Sequence, residues 1–383
     1  MSVTAAAGFT AAGVACGIKG AGALDLAVVS AERAVAAAGV FTSSTTAAAP
    51  VVVSRKHLAS GTARVIVINS GCANAGTGQS GLADAHSTSR EAAAAYGCPP
   101  EEVLVCSTGT IGPSLPVRRL VEGLPKNLGN DARAATAAAE AIMTTDSVSK
   151  QAAVRAGGYS IGGMAKGAGM IRPDMATMLA VITTDAVIGS VELQSALTAA
   201  VEESFNSLNI DGCQSTNDSV LIMASGKSGI EPGLDEFRQG LTDVCRDLAH
   251  QIAADAEGAT RVVTVRVRGA TDGRQARRIG KFLTDSALVR SSFYGGDPNW
   301  GRIFAALGVG PGAINASDIV IAFAGVPVAS AGTGVEYDEA ALLATLEHGD
   351  FVVDVSVGNG PGEAMILTTD LTPEYVIFNG DRS

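Results

Sequence analysis

A glycine-rich loop leads into an apolar run in the stretch Lys166-Gly-Ala-Gly-Met-Ile-Arg-Pro-Asp-Met-Ala-Thr-Met-Leu-Ala-Val-Ile182. The apolar residues at its end predict a buried strand, and Thr177, at the junction, is the one hydroxyl residue of the stretch. A threonine hydroxyl is a weak nucleophile unless a base lies beside it, and a free α-amine on the same residue is one such base. Cleavage between Ala176 and Thr177 would create that amine.

The residues around this junction suit self-cleavage. Ala176 is small, and the glycines at 167 and 169 permit the crowded backbone that an attack on the preceding carbonyl requires. After cleavage, the strand would anchor Thr177, whose α-amine, with an ordinary pKa of about 7.7–8.0, is partly neutral at pH 7 and can act as a base. The simpler interpretation is a strand that merely follows a glycine loop, and the chemistry of these residues alone leaves both open.

Length and composition indicate a folded globular protein. The 383 residues are enough for two domains or one large α/β unit, and 47% of them are hydrophobic. The net charge of -11 repels polyanions, and the aromatic content of 4% offers little surface for stacking on bases. We therefore expect neither a nucleic-acid nor a membrane partner.

The cysteines and histidines carry no recognisable motif. The six cysteines include no Cys-x-x-Cys pair, and the four histidines stand in no nucleophile or metal-binding pattern. We expect no metal, no cofactor and no histidine-based triad, which favours a nucleophile that supplies its own base. Because no signal peptide or membrane-spanning apolar stretch is visible, we expect a soluble cytoplasmic protein.

Short apolar runs, many of them β-branched, predict strands. They lie at Leu24–Ser30, Val35–Phe41, Ala63–Asn69, Val103–Cys106, Ser160–Gly163, Met178–Thr183, Ser219–Ala224, Arg261–Val267, Asp318–Phe323 and Asp350–Val357. Patterns with helical periodicity lie at Ala83–Tyr96, Val117–Gly123, Asp131–Met143, Val191–Ser207, Leu234–Ala256, Asp285–Arg290 and Tyr337–Leu346. Since several strands follow one another directly, a mixed α/β fold with α+β layers fits better than strict alternation.

Three regions outside these elements have distinctive compositions. Gly269–Arg274 and Gly308–Ser317 are predicted as loops because they are rich in turn-forming residues. A basic cluster, Arg274, Arg277, Arg278 and Lys281, is interpreted as a solvated helix face rather than an anion site.

Three further stretches are rich in small polar residues that could form a binding loop. Val103–Gly112 predicts a strand and a turn at which a hydroxyl and a backbone N–H could face a developing oxyanion, although such turns are more often structural. Ile68–Gly78 lacks the motifs of a nucleotide-binding loop. Asp211–Asp218 has the composition of a cation loop without its spacing, so a structural turn is favoured.

Together these stretches resemble the glutamate N-acetyltransferase family, also called the ornithine acetyltransferase family. The matching segments follow one another over most of the chain: Asn69–Ala75, Cys106–Gly112, Met143–Asp146, Gly162–Met170, Met175–Leu179, Asp211–Asp218, Asp255–Thr260 and Gly296–Arg302. The combination of Lys-Gly-Ala-Gly-Met with Met-Ala-Thr-Met-Leu is the most specific of them. The resemblance therefore favours the nucleophile over the plain strand at Thr177.

The resemblance implies a self-cleaving acyltransferase without a cofactor. Cleavage at Ala176/Thr177 would give an α chain of residues 1–176 and a β chain of residues 177–383. Thr177 would take acetyl from N-acetyl-L-ornithine and pass it to L-glutamate by a ping-pong mechanism. The implied fold is a two-domain α/β sandwich of the type shared with self-processing aminopeptidases, and the implied assembly is α2β2 or a higher oligomer.

The resemblance also implies roles for individual residues. Thr108 and Gly109 would form the oxyanion hole. The substrate-binding residues would be Thr144 (with Thr145 as the alternative), Lys166, Thr177, Glu257, Asn379 and Ser383. The sequence from Asn379 to Ser383 is one residue shorter than the family's usual tail, so the match of Ser383 to the family's last substrate contact is inexact.

Two other functions stay open from the sequence. One is a self-processing amidase or aminopeptidase with the same nucleophile, and the other is a non-enzymatic small-molecule-binding protein. The use of acetyl-CoA as a donor, the breadth of acceptors, and the choice between arginine biosynthesis and a related specialised pathway are equally open.

Overall fold

The computed structural model describes residues 2–20, 22–172, 178–312, 314–347 and 349–381. These form two compact units. Of the described residues, the first unit contains 2–170, 178–206 and 213–252, and the second contains 171–172, 207–212 and 253–381. The change near residue 252 does not coincide with the predicted cleavage position, which stays a prediction.

Each unit is built around one β-sheet. The strands are β1 (Phe9–Val14), β2 (Leu26–Phe41), β3 (Thr62–Cys72), β4 (Val103–Thr110), β5 (Lys150–Ala156), β6 (Tyr159–Lys166), β7 (Leu179–Thr184), β8 (Leu208–Asn209), β9 (Ser219–Ala224), β10 (Val262–Ala270), β11 (Val320–Phe323), β12 (Val326–Ser330), β13 (Thr333–Gly334), β14 (Phe351–Ser356) and β15 (Gly362–Thr369). The mixed α/β fold that the sequence predicts is thereby confirmed, and the structure adds that it contains two sheets.

Helices lie in half of the connections between consecutive strands of the described chain. They are α1 (Ala49–His57), α2 (Gly78–Tyr96), α3 (Val117–Glu122), α4 (Ala132–Ala141), α5 (Ser190–Glu202), α6 (Leu234–Ala254), α7 (Gly273–Asp285), α8 (Ala287–Tyr294), α9 (Trp300–Val309), α10 (Glu339–Glu347) and α11 (Pro373–Gly380). Within the ranges that the structure describes, no helix combines the length and the apolar character needed to span a bilayer.

The first sheet positions the apolar run that follows Thr177. Over the described residues its order is β4-β3-β2-β9-β7-β6-β5, with β1 paired to β2. β7 is buried along its whole length and lies between antiparallel β6 and parallel β9. The register pairs Leu179 with Lys166 on one side and with Ser219 on the other. The start of β7 is thus held between the end of β6 and the start of β9.

The second sheet has the order β13-β12-β11-β14-β10-β15-β8 in the part of the chain described. α7 packs on β10 and β15, and its apolar residues Ala276, Ile279 and Leu283 join the core of the second unit. This helix corrects the predicted loop Gly269–Arg274, whose last residues begin α7. Its basic face is confirmed in part, because Arg274 is exposed whereas Lys281 is buried.

One strand prediction was wrong, because it divided a continuous strand into two. The runs Leu24–Ser30 and Val35–Phe41 belong to a single strand, β2. The polar residues Glu32 and Arg33 between them are exposed, and the pairing with β3 shifts its register between Ser30 and Val35. An irregularity of this kind lets a strand continue through residues that interrupt the apolar pattern.

Several elements were absent from the prediction. Valines dominate α1, and glycines interrupt the pattern of α9, which overlaps the predicted loop Gly308–Ser317, so neither segment had a helical signature. The strands β1, β5, β8, β12, β13 and β15 and the helix α11 were also missed. Their alanine content, shortness or weak alternation explains this, because periodicity is the main signal that a single sequence carries.

Candidate active site

The end of β6 carries a buried cluster of charges. The Nζ atom of Lys166 lies 3.9 Å from Oδ2 of Asp146, and the Nζ atom of Lys150 lies 2.7 Å from Oδ1. The backbone N–H of Gly167 donates to the same Oδ1 at 2.7 Å. Lys19 is close enough to be influenced by both Asp146 and Lys166. One carboxylate is therefore surrounded by several cations at the point where the glycine-rich loop begins.

The ionised form of Asp146 is strongly favoured. Burial by itself would raise the pKa of this carboxyl, but Lys166 and Lys150 outweigh burial and lower the pKa to about 2. The pKa in the fold is therefore below the ordinary value of 3.8. The carboxylate thus contributes stability above pH 3.8 and loses that contribution as the pH falls through about 2.

We expect Asp146→Asn to lower the free energy of unfolding at pH 7 by about 3–5 kcal/mol, because it leaves Lys150 and Lys166 buried without their counter-charge. Denaturant unfolding would measure this change. The matched control is Glu203→Gln, which removes an exposed ion pair with Arg246 and should cost under about 1 kcal/mol. The difference between wild type and Asp146→Asn should shrink as the pH falls below 3.8, and equal stability at pH 7 would contradict the ion-pair interpretation.

Thr144 belongs to the same cluster. Its backbone N–H donates to Oδ2 of Asp146 at 2.9 Å, and its hydroxyl lies 3.5 Å from that oxygen. Thr144 is half-buried, whereas Thr145 is exposed. The structure thus brings the predicted substrate-binding residues Thr144 and Lys166 together around one carboxylate.

The predicted oxyanion residues lie near the end of β4. Thr108 is buried, and Gly109, the next residue, is exposed. Gly109 has a φ of +127°, and a Cβ atom there would lie 2.4 Å from the backbone carbon of Gly71 on the neighbouring strand. Only glycine fits such a close approach of two backbones. The Thr108 hydroxyl and the Gly109 backbone N–H therefore belong to adjacent residues near the end of the strand.

A hydrogen-bonded network supports this strand end from behind. Nδ2 of Asn217 donates to the carbonyl oxygens of Ala73 at 2.7 Å and Ser107 at 2.9 Å. Ser107 donates from its hydroxyl to Oδ1 of Asn69 at 2.6 Å, and Asn69 donates to the carbonyl of Cys72 at 2.8 Å. Three stretches that were considered separately in the sequence, 68–78, 103–112 and 211–218, are therefore one connected structure.

Asp218 links that network to β7. Its side chain is 1% exposed, and its Oδ1 accepts a hydrogen bond from the backbone N–H of Met178 at 2.9 Å. Burial raises the pKa of Asp218 well above its ordinary value, although the Met178 amide and the Lys166 ammonium favour the ionised form. A carboxyl group that is easily protonated therefore lies at the amide of the residue that follows position 177.

Two predicted substrate-binding residues lie in the second unit. Nδ2 of Asn379, on α11, donates to Oε2 of Glu257 at 3.1 Å. The structure thus brings Glu257 and Asn379 together. Ala176, Thr177 and Ser383 lie outside the described residues, so the roles given to them stay predictions.

Sequence reasoning missed three polar residues of the first unit: Asp146, Asn217 and Asp218. All three stand in segments that match the family, but in 143–146 a role was predicted only for a threonine, and for 211–218 a structural turn was favoured. Their spacing carries no sign that they meet. The available signal was the presence of carboxyl and amide residues in these segments, because such groups have perturbed pKa values when a fold buries them near a nucleophile.

Among the residues that the structure describes, no group of three or more histidine, cysteine, aspartate or glutamate side chains could hold a metal ion. The groups that the first unit brings together around Asp146, Thr108 and Asp218 are hydroxyl, amide, carboxyl and ammonium groups. Such groups suit the binding of an amino-acid substrate and the stabilisation of an oxyanion.

Comparison with known proteins finds relatives that match this chain over its whole length. A model of the ArgJ family matches residues 10–383. The arginine biosynthesis bifunctional protein ArgJ of Thermobifida fusca is 46% identical over 385 residues, covering 100% of both chains. Its counterpart from Bifidobacterium longum is 44% identical over 391 residues, covering 100% of this chain and 99% of the other.

A solved structure is also similar. The crystal structure of ArgJ from Bacillus halodurans aligns with a TM-score of 0.52 and 37% identity, covering 53% of this chain and 99% of the solved chain. The family model and the full-length relatives lead to one conclusion: this chain belongs to the ArgJ family.

Proposed function

We propose that this chain is a self-cleaving acetyltransferase of arginine biosynthesis, which transfers acetyl from N-acetyl-L-ornithine to L-glutamate. Its relatives of 46% and 44% identity are named as bifunctional proteins of arginine biosynthesis. The observation that carries the proposal is the register of the first sheet. The start of β7 lies beside Lys166 and Ser219, so the strand that follows residue 177 begins among charged and hydrogen-bonding groups.

The nucleophile in this proposal is Thr177, freed by cleavage after Ala176. The hydroxyl attacks the Ala176 carbonyl, and as the ester forms the carbon–nitrogen bond between the two residues breaks, which frees the α-amine of Thr177. Water then hydrolyses the ester, which releases the Ala176 carboxylate and restores the Thr177 hydroxyl. The solved Bacillus halodurans chain supports a divided polypeptide, because it is covered to 99% by 53% of this chain. That share is close to the part that residues 177–383 make up.

The two proposed products would stay together without a peptide bond. β6 belongs to residues 1–176 and β7 to residues 177–383, and they pair along six positions from Ile161–Thr184 to Lys166–Leu179. β2 and β9 add a second pairing across the same division. Backbone hydrogen bonds in a buried sheet would therefore hold the α and β chains as one folded unit. We propose an α2β2 or higher assembly of such pairs, acting in the cytoplasm.

Transfer then proceeds in two half-reactions. The Thr177 hydroxyl attacks the acetyl carbonyl of N-acetylornithine while its α-amine accepts the hydroxyl proton and returns a proton to the departing ornithine amine. L-Glutamate attacks the acetyl-threonine in the reverse sense. Thr108 and Gly109 would donate to the tetrahedral oxyanion in each half-reaction.

Substrate recognition would use oppositely charged groups. An amino acid presents a carboxylate that suits the Lys166 ammonium and an ammonium that suits a carboxylate such as Glu257. We propose Thr144 as a further contact beside Lys166, and Asn379 and Ser383 as contacts of the second unit. In the structure, Nδ2 of Asn379 donates a hydrogen bond to Oε2 of Glu257 at 3.1 Å and thereby orients this carboxylate.

An assay with both substrates tests this function. Purified protein given N-acetylornithine and glutamate should release ornithine and N-acetylglutamate in equal amounts, with ping-pong kinetics. Acetate released from N-acetylornithine without glutamate, as the main product, would instead indicate an amidase. An uncut chain of 38.4 kDa that binds but does not turn over either substrate would indicate a binding protein. A parallel arm with acetyl-CoA determines whether the chain accepts that donor.

A further inference from the structure

The two oxygens of the Asp146 carboxylate have different partners. Oδ1 accepts hydrogen bonds from Nζ of Lys150 and from the backbone N–H of Gly167, both at 2.7 Å. Oδ2 accepts the backbone N–H of Thr144 at 2.9 Å and lies 3.9 Å from Nζ of Lys166. One oxygen is thus held by two short hydrogen bonds, whereas the other faces the two residues that are proposed to contact the substrate.

The bonds to Oδ1 fix the orientation of the carboxylate. The side chains of Asp146 and Lys150 are both fully buried. Lys150 is the first residue of β5, and Gly167 directly follows the last residue of β6. Hydrogen bonds to an ionised group are short and strong, so the carboxylate cannot turn without losing two of them. The direction in which Oδ2 points is therefore set by two adjacent strands of the first sheet.

Oδ2 acts on Lys166 through charge rather than through a hydrogen bond. A separation of 3.9 Å is beyond hydrogen-bond distance, but the side chains of Lys166 and Asp146 are only 5% and 0% exposed, so solvent screens their attraction little. The Thr144 hydroxyl is also distant from Oδ2, at 3.5 Å. Asp146 therefore draws an ammonium and a hydroxyl toward one point without a short hydrogen bond to either.

The peptide group between Met143 and Thr144 is held at both of its ends. Its carbonyl oxygen accepts a hydrogen bond from Nζ of Lys19, which also donates to the carbonyl oxygen of Leu24 at 3.1 Å. Its N–H donates to Oδ2 of Asp146 at 2.9 Å. Because a peptide group is planar and rigid, these two contacts fix the backbone from which the Thr144 side chain extends.

We propose that Asp146 is the positioning residue for the pair Thr144 and Lys166, which it holds together so that a hydroxyl and an ammonium meet the carboxylate of the amino-acid substrate. This inference rests on the proposed function, because it takes both residues as substrate contacts. Asp146 acts through them and does not touch the substrate. Lys166 then lies between two carboxylates, both of which favour its ammonium form.

The double variant Asp146→Asn/Lys150→Met separates positioning from stability. It removes both members of the buried 2.7 Å ion pair, so it should regain part of the stability that Asp146→Asn alone loses. Asparagine can still accept the Thr144 N–H but has no charge for Lys166. In cleaved protein we expect KM for N-acetylornithine and for glutamate to rise about 10- to 100-fold. The value of kcat should change little, because the lost contact is made equally in the bound substrate and in the transition state.

Two further measurements complete the test. Glu32→Gln/Lys227→Met is the matched control, because it removes an ion pair of the same length whose side chains are 67% and 45% exposed, and it should leave both KM values unchanged. Lys166→Met is then measured in the wild-type and in the double-variant background. If Asp146 acts through Lys166, this substitution raises KM in the wild type and adds little in the double variant, since coupled residues have non-additive effects.

The outcomes distinguish this inference from the proposed function. Wild-type protein that fails to transfer acetyl refutes the proposed function. Wild-type transfer together with a folded double variant of unchanged KM refutes the role of Asp146, as does a full additional effect of Lys166→Met in that background. A folded double variant that stays uncut also counts against the role, which lies in binding and not in self-cleavage.

Asp146→Glu provides the readout if the double variant does not fold. Glutamate keeps the charge beside Lys150 but displaces the carboxylate oxygens by one methylene group. A raised KM with little change in kcat supports the positioning role, and wild-type kinetics contradict it.

Discussion

Thr177→Ala is expected to leave an uncut chain of 38.4 kDa and to reduce acetyl transfer on the order of 10⁵-fold or more, as loss of a covalent nucleophile does. The alanine variant lacks the hydroxyl for the first attack and, without cleavage, also lacks the α-amine. Intact-mass analysis measures the cleavage, and ornithine release measures the transfer.

Thr177→Ser is the matched control for this variant. Serine keeps a hydroxyl, so it should still cleave and turn over, at a reduced rate. Thermal melting of both variants would show whether folding is unaffected. Normal turnover by Thr177→Ala would refute the assignment of the nucleophile.

Thr108→Val carries the second-largest expected effect. Valine has the shape of threonine and suits a strand, so the fold of β4 should persist. The hydroxyl donor is lost, and we expect kcat to fall about 100- to 1000-fold. KM should change little, because the oxyanion exists in the transition state and not in the bound substrate. Steady-state kinetics with N-acetylornithine would measure both constants.

Thr110→Val provides the control for Thr108→Val. Thr110 lies two residues further along β4, and the family resemblance gives it no role, so loss of its hydroxyl should leave catalysis unchanged. Self-cleavage passes through an oxyanion as well and should be slowed in Thr108→Val but not in Thr110→Val. Equal kinetics for the two variants would remove Thr108 from the oxyanion hole.

Continuous, strongly patterned segments were predictable from the sequence alone. Ser219–Ala224 is a strand with the predicted bounds, and the long helix α6 starts at the predicted Leu234. Both have an uninterrupted apolar pattern of the right period. The prediction was wrong at β2, where exposed charges interrupt the apolar pattern although the strand continues. The sheet accommodates these residues by a shift in register, which a periodic pattern does not reveal.

The site was predictable only in the residues that carry recognisable chemistry. Thr108, Gly109, Thr144 and Lys166 were identified from motifs, and the structure places them at strand ends or beside Asp146. The contact of Asp218 with Met178 could not be predicted, because it joins residues 40 positions apart. Such contacts depend on the parallel pairing of β7 with β9, which no local pattern encodes.

The acetylated intermediate tests the central claim most directly. Wild-type protein incubated with N-acetylornithine, without glutamate, would be examined by intact mass spectrometry and by sequencing of the new N-terminus. We predict two fragments, 1–176 and 177–383, with one acetyl group on Thr177 that glutamate removes as N-acetylglutamate. Full turnover by a chain still joined between residues 176 and 177, or acetylation confined to fragment 1–176, would contradict the account.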